Sequence, residues 1–202
     1  MDSHRTLVLA STSRYRRELL SRLRIAFDAV APEVDETALD GESPCALARR
    51  LALAKAQAVA MRRPQAVVIG SDQVADLHGQ AIGKPGTHAG AVDQLQRMSA
   101  QLVVFHTAVA VVCRQSGFSD EFVVPVRVRF RELDAASIEN YLRLEQPYDC
   151  AGSARSEGLG VALLEAIESD DPTALVGLPL IRTCAALRRA GIDPLAAPSS
   201  KP

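Results

Sequence analysis

The chain begins with a short apolar run, Leu7-Val8-Leu9-Ala10, which breaks into Ser11-Thr12-Ser13 and continues as Arg14-Tyr15-Arg16-Arg17-Glu18-Leu19-Leu20. This pattern predicts a strand near residues 6–10, a tight turn, and a helix near 14–24. Residues 25–30 read as a second strand, stopped by Pro32, and an acidic loop follows at 33–36. Ser43-Pro44 is a helix start with proline at its first position. Leu47, Leu51, Ala54, Ala58 and Met61 then recur at helical spacing until Arg63-Pro64. An apolar strand at 66–69 feeds Gly70-Ser71-Asp72-Gln73, and its pattern continues to Leu77. It turns at His78-Gly79 and returns through 81–85 as a hairpin. Thr87 opens a helix to about Ser99. Residues 102–112 and 121–130 alternate as two long strands around Gly117. Asp134 caps a helix carrying Ile138, Tyr141 and Leu142. After a glycine-rich stretch, 161–167 reads as a last strand. Pro179 opens a final helix with Leu180, Ile181, Cys184 and Leu187 on one side, ended by Gly191.

Strands and helices mix here without strict βαβ alternation. The expected architecture is therefore an α/β fold with a mixed sheet and helices packed on it, not a doubly wound parallel sheet. No internal repeat or low-complexity segment interrupts the pattern. At 202 residues and 48% hydrophobic content, the chain can bury a sizeable core within one domain over 1–192. The tail at 193–202 is rich in Pro, Ala and Ser and is expected to fray.

Charge and cysteine content narrow the function. A net charge of -1 argues against a general nucleic-acid binder or a membrane-surface protein, so basic residues should be focused at a site. No apolar run reaches the ~20 residues that a membrane span needs, and the first residues lack the apolar core of a secretory signal. The four cysteines, Cys45, Cys113, Cys150 and Cys184, form no C-x-x-C pair. Reduced thiols in a cytoplasmic protein are expected.

The basic residues coincide with a helix start. Arg14, Arg16 and Arg17 fall in the first turn, where the helix dipole makes a cation cost roughly 0.3–1 kcal/mol. Free backbone N–H groups at the same point favour an anion. Serines, turn and arginines together suggest a phosphate or polyphosphate site, against the plainer explanation of a solvated basic turn. Asp72 follows an apolar strand and could face a crevice; turn capping is an equal alternative. With a two-residue turn at His78-Gly79, Gln73 lies opposite Lys84 and Asp72 close by, although which face each side chain takes stays open. Gly79 to Pro85 resembles a Walker A loop only faintly, because its glycine spacing is one short and Pro85 replaces the hydroxyl residue. Lys84 can still reach a phosphate as a point charge. Lys55 lies beside the apolar stripe of its helix, where a snorkelling surface lysine is the usual explanation. Glu33, Asp35 and Glu36 are hard oxygen ligands suited to Mg²⁺ or Mn²⁺, or simply a surface loop. Gly158-Leu159-Gly160 is a weak phosphate-loop signal. Taken together, this inventory fits hydrolysis of a phosphate ester or phosphoanhydride.

Several blocks in order carry a resemblance over nearly the whole chain. They are Leu9-Ala10-Ser11-Thr12-Ser13 with Arg16-Arg17, Pro32-Glu33-Val34-Asp35-Glu36, Ala54-Lys55-Ala56, Gly70-Ser71-Asp72-Gln73, Gly83-Lys84-Pro85, Ala151-Gly152-Ser153 with Ser156-Glu157-Gly158, and Leu175 to Leu180. In these the chain resembles the Maf family of nucleoside triphosphate pyrophosphatases. The resemblance implies an elongated twisted sheet with two lobes around a cleft. It also implies cleavage of a nucleotide between the α and β phosphates with a divalent metal, Mg²⁺ or Mn²⁺, and a homodimer. By it, Asp72 is the base that activates water, and Ser11, Arg16, Lys55 and Lys84 hold the triphosphate. Glu36, alone or with Glu33 or Asp35, serves the metal or its waters. Arg14 departs from the proline common at its position.

Three positions bear on the nucleotide. Members that act on dTTP and UTP carry Arg, Thr and Gln where this chain has Tyr15, Gln73 and Glu157. The present set resembles the subgroup that acts on 7-methyl-GTP. The physical reason is charge: a 7-methylguanine ring is cationic and can stack on Tyr15. Glu157 can accept from the guanine N1–H and amine, and Gln73 can bond the base edge. The expected activity is a cytoplasmic hydrolase that clears modified nucleotides. The competing readings are dTTP or UTP hydrolysis, and a regulatory nucleotide-binding protein linked to septum formation.

Overall fold

The first strand, β1 (Leu7–Ala10), is buried along its whole length and sits between two parallel neighbours, as its run of apolar residues requires. In the computed structural model, which describes residues 6–196, these neighbours are β2 (Phe27–Ala29) and β3 (Val67–Leu77). The helix α1 (Arg14–Ser21) makes the β1–β2 crossover, and α2 (Pro44–Arg62) lies between β2 and β3. From β3 onward the sheet is antiparallel. β4 (Gln80–Ile82) returns beside β3, and α3 (His88–Met98) follows. The hairpin of β5 (Leu102–Cys113) and β6 (Phe118–Phe130) precedes α4 (Ala135–Glu145). The edge strand β7 (Leu164–Glu168) and the last helix α5 (Leu180–Arg189) complete the order. The seven-stranded sheet runs β2-β1-β3-β5-β6-β7, with β4 paired to β3 off this path. The mixed α/β sheet expected from the pattern is thus present.

Two layers of core cover the sheet, and strand alternation assigns them. Leu7, Leu9, Val67 and Ile69 join the larger cluster, with Phe105, Phe130, Leu142 and Leu187. Val8, Ala10, Val68 and Ala110 face the other way, against Ala56 and Val59 of α2. α2 presses hard on that face: a Cβ on Gly70 would fall 2.2 Å from the Ala52 carbonyl oxygen and 2.5 Å from the Ala56 nitrogen. Glycine in the strand and alanines in the helix allow this approach.

Several boundaries differ from expectation, each for a local reason. α1 stops at Ser21, and Arg24 takes a positive φ of 55° before β2, so the chain turns where the helix was expected to continue. β3 runs unbroken through Gly70-Ser71, because close packing of α2 uses the small residues and no turn forms there. α2 buries Leu47 and Leu51 of the expected stripe, but its buried face continues through Ala48, Ala52, Lys55, Ala56 and Val59, while Ala54 and Ala58 are half-buried and Met61 is exposed. Val161–Leu163 belong to a 3-10 turn, Leu159–Leu163, and only Leu164–Glu168 form the strand. Ile181 lies on the outer side of α5, whose buried residues are Thr183, Ala186 and Leu187. Ser43, Thr87 and Asp134 cap their helices through backbone nitrogens at 3.3, 3.1 and 2.6 Å, as hydroxyl and carboxylate caps do. Pro179 makes no side-chain cap. Instead buried Asp171 accepts from the Ile181 nitrogen at 2.7 Å, and Thr173 Oγ1 from the Leu180 nitrogen at 2.7 Å. Of the 193–202 tail, residues 197–202 lie outside the described residues.

Candidate active site

The sheet leaves a gap along one side of β3. β1 reaches β3 only as far as Ala10↔Gly70, and β4 joins only from Ala75↔Ile82. Residues 71–74 are paired to β5 on their other side, Ser71↔Val109 through Val74↔His106. A cavity of about 590 Å³ opens at this gap. Crevices where adjacent strands diverge are where open α/β sheets bind ligands. Ser11, Tyr15, Arg16, Glu36, Lys55, Asp72, Gln73, Lys84 and Glu157 all line it. These nine residues, each given a role by the resemblance, therefore meet the same space, whereas Arg17, Glu33 and Asp35 do not line it.

Strand alternation settles which way the β3 residues face. Asp72 shares the parity of Val68 and Gly70, so it points toward α2 and is almost fully buried. There Lys55 Nζ donates to Asp72 Oδ1 at 2.6 Å, and it sits 2.6 Å from Glu36 Oε1 as well. Lys55 is only 5% exposed, which removes the snorkelling explanation: its ammonium ends between two carboxylates inside the protein. Burial opposes the charge on Glu36. The hydrogen bond from Lys55 and the charges of Lys55, Lys84 and Arg16 outweigh it and hold the Glu36 carboxyl below its ordinary range. Arg16 lies opposite. Burial lowers its pKa against the pull of Asp72 and Glu36, and its Nε donates to the Gly177 carbonyl at 3.0 Å.

The β1–α1 turn forms the next wall. Ser11 is buried and its Oγ accepts from the Ser13 nitrogen at 3.1 Å, while Ser13 Oγ caps the helix at the Arg16 nitrogen. The first turn of α1 holds no acid, so its positive end stays uncompensated by its own side chains. Not all three arginines contribute. Arg14 and Arg16 line the cavity, and Arg17 is exposed and does not. Within the acidic loop only Glu36 reaches the cavity. Glu33 pairs with Arg62 at 3.3 Å, and Asp35 accepts from the Thr37 nitrogen at 2.9 Å.

Gln73 and Ser71 face the opposite side of the sheet and grip the segment before α5. Gln73 Nε2 donates to Thr107 Oγ1 at 2.8 Å and to the Ala174 and Leu175 carbonyls at 3.0 Å. Its nitrogen is therefore occupied by the fold, which leaves its carbonyl oxygen for the base contact expected of it. Ser71 Oγ donates to the Gly177 carbonyl at 2.9 Å, the same oxygen that Arg16 uses. Gly177 takes φ 114°, which suits glycine at the turn that presents this oxygen. Sequence reasoning quoted the Leu175–Leu180 block but gave Gly177 no part.

The far end of the cavity is aromatic and charged. Tyr15 carries the Arg14 and Arg155 guanidinium groups 4.7 and 5.5 Å from its ring centre, and Arg14 Nη2 donates to its hydroxyl at 2.6 Å. The ring is thus already a surface that receives cations. Burial raises the Tyr15 pKa although the Arg14 hydrogen bond opposes it. Cys150, which was given no role, lies 3.9 Å from the Tyr15 hydroxyl, and burial pushes its thiol up to about 11. The glycine-rich turn is not a phosphate loop: the Gly158 and Gly160 nitrogens donate to the Arg155 carbonyl, and the Leu159 nitrogen donates to Glu145.

No group of three or more metal-ligating side chains is assembled among the described residues, and no helix among them is long and apolar enough to cross a membrane. Cys45, Cys150 and Cys184 are free thiols.

Comparison with known proteins agrees with this geometry. A protein from Polaromonas sp., named 7-methyl-GTP pyrophosphatase, is 66% identical over 93% of this chain and 86% of its own length. Proteins of the same name from Albidiferax ferrireducens and Bordetella avium are 63% and 53% identical, over 96% and 98% of this chain and 97% and 100% of theirs. The family model described as Maf-like protein matches residues 6–190, which include the whole cavity lining, and the chain belongs to that family.

Proposed function

We infer that the protein is a nucleoside triphosphate pyrophosphatase that converts 7-methyl-GTP to 7-methyl-GMP and pyrophosphate. The observation that carries this reading is a single cavity lined by buried Lys55 and Asp72, with the more exposed Glu36 beside them, and by Tyr15 with Glu157. The triphosphate needs cations and oriented N–H groups, which Arg16, Lys55, Lys84 and the start of α1 supply. Asp72 takes the proton of the attacking water on Oδ2, since Lys55 engages Oδ1. The water oxygen bonds to phosphorus as the bond between the α and β phosphates breaks, and pyrophosphate leaves with its charge held by the cationic wall.

The acidic residues suit a divalent metal. Asp72 and Glu36 already converge on one cation, the Lys55 ammonium. Mg²⁺ or Mn²⁺ is usually held by one or two carboxylates together with substrate phosphates, without a full protein cage. Glu36 with Asp72 would hold it, and its chemistry would be neutralisation of charge on the phosphates. At the other end a cationic 7-methylguanine stacks on Tyr15, and Glu157 accepts from its N1–H and amine. Uracil and thymine present acceptor oxygens there, which a carboxylate repels. The free thiols of Cys45, Cys150 and Cys184 suit a reducing, cytoplasmic setting.

A pyrophosphate-release assay over 7-methyl-GTP, GTP, UTP and dTTP tests the reading directly. It expects the highest kcat/KM for 7-methyl-GTP, and Asp72→Asn should abolish turnover while nucleotide still binds. Equal rates on all four substrates refute the substrate assignment, and full activity in Asp72→Asn refutes the base.

A further inference from the structure

Arg155 stands between the two residues assigned to the base. Its Nη1 donates to Glu145 Oε1 at 2.8 Å, and its Nε lies 3.7 Å from Glu157 Oε1. Its guanidinium sits 5.5 Å from the Tyr15 ring centre. That Nε is buried and has no hydrogen-bond partner, a costly state for a charged donor unless another state of the protein satisfies it. The backbone of the residue is fixed. Its nitrogen donates to the Tyr141 hydroxyl at 3.0 Å, and its carbonyl accepts from Gly158 and Gly160 at 3.1 and 3.0 Å. Glu145 is also held, by the Leu159 nitrogen at 2.9 Å. A Cβ on Gly158 would fall 2.6 Å from Glu145 Oε1, so the turn closes on this carboxylate because residue 158 is glycine. By contrast Arg14, the other cation on the ring, is exposed and can swing into water when a base arrives.

We propose that Arg155 is a positioning residue that joins the Tyr15 ring and the Glu157 carboxylate into one base-reading unit, its unpartnered Nε closing onto Glu157 when a cationic purine enters between them. The inference rests on the substrate reading above. Glu145 clamps one edge of the guanidinium, and the free Nε is left facing Glu157. A contraction of less than 1 Å from 3.7 Å makes a hydrogen bond of ordinary length. Glu157 is then fixed at the distance from Tyr15 that the ring of the base requires. A lysine in place of Arg155 keeps the charge but serves one partner at a time.

The test compares kcat and KM on 7-methyl-GTP and UTP for the wild-type protein, Arg155→Met, Arg155→Lys, Glu157→Gln and the Arg155→Met/Glu157→Gln double variant. Arg155→Met should lower the 7-methyl-GTP to UTP ratio of kcat/KM about tenfold, through KM for 7-methyl-GTP. Arg155→Lys should recover part of it. The double variant should have the ratio of Glu157→Gln alone, because Arg155 acts through that carboxylate. Equal losses on both substrates in Arg155→Met, or single effects that multiply in the double variant, overturn the proposal. Should Arg155→Met not fold, Arg155→Lys decides: a ratio equal to wild type overturns it, and a lowered ratio upholds it. A wild-type protein without preference for 7-methyl-GTP overturns the substrate reading instead, and the two failures are distinct.

Discussion

Replacing Lys55 by methionine isolates the central electrostatic device of the cavity. The ammonium is 5% exposed and lies 2.6 Å from both Asp72 and Glu36. Methionine keeps much of the volume and leaves two carboxylates facing each other. Removing one partner of a buried ion pair costs roughly 3–5 kcal/mol. The lower end applies here, because Glu36 has a side chain 55% exposed and can turn to water, which leaves buried Asp72 as the uncompensated charge. A loss of about 3 kcal/mol in a chain of this size lowers Tm by roughly 6–12 °C. Two further measurements test the cause. In Lys55→Met/Asp72→Asn the stranded charge is gone, so thermal unfolding should return most of the way to wild type. In the single variant the freed carboxylates should accept Mg²⁺ or Mn²⁺ without nucleotide, and about 100 Kd of metal restores about 2.7 kcal/mol. A double variant no more stable than Lys55→Met refutes the reasoning, as does a single variant whose Tm stays within 2 °C of wild type.

Other consequences are equally open to measurement. Glu157→Gln should raise UTP hydrolysis relative to 7-methyl-GTP in the pyrophosphate-release assay; an unchanged ratio removes the specificity argument. Gly70→Ala forces a methyl into the backbone of α2, and should lower stability by more than the roughly 1–3 kcal/mol usual for overpacking, seen as a Tm drop together with lost activity. The Arg50 hydrogen bonds pull Glu42 from 4.5 down to about 2. The unfolded chain therefore binds more protons between these values. The stabilisation is complete above pH 4.5 and is lost as pH falls through about 2. Urea titrations of Glu42→Gln should show a deficit at pH 7 that closes across this window, and a deficit constant with pH refutes the pairing.

Helix starts and the residues that come to line the cavity are readable in the sequence, and the faces they occupy are not. Ser43, Thr87 and Asp134 announce caps because their oxygens bind nitrogens three residues on, a strictly local geometry. Lys55 could not be placed in the same way. The apolar residues of α2 surround the helix, so the stripe from Leu47 to Met61 marks only part of the buried face, and tertiary contact with Gly70 chooses the rest. Asp72 looked like a residue after a strand because Gly70-Ser71 reads as a break. The strand continues because that glycine admits the helix. The cap of α5 comes from Asp171, ten residues before the nitrogen it serves, and no short-range pattern announces such a loop. The Gly158–Gly160 turn carried a phosphate-loop signal for a related reason: glycine marks close approach, and the group approached is the protein's own Glu145 and Arg155 carbonyl.

The gap beside β3 has a consequence for how such a protein can change its diet. Asp72 stands in mid-strand, Lys55 in mid-helix, and both are braced by the sheet against Gly70. Tyr15 and Gln73 aside, the groups proposed to read the nucleobase hang from the connection between α4 and β7, outside any long element. A stiff socket grips the part that all triphosphates share, while a replaceable faceplate inspects the part in which they differ. Drift in the faceplate can retune appetite without disturbing the chemistry beneath it.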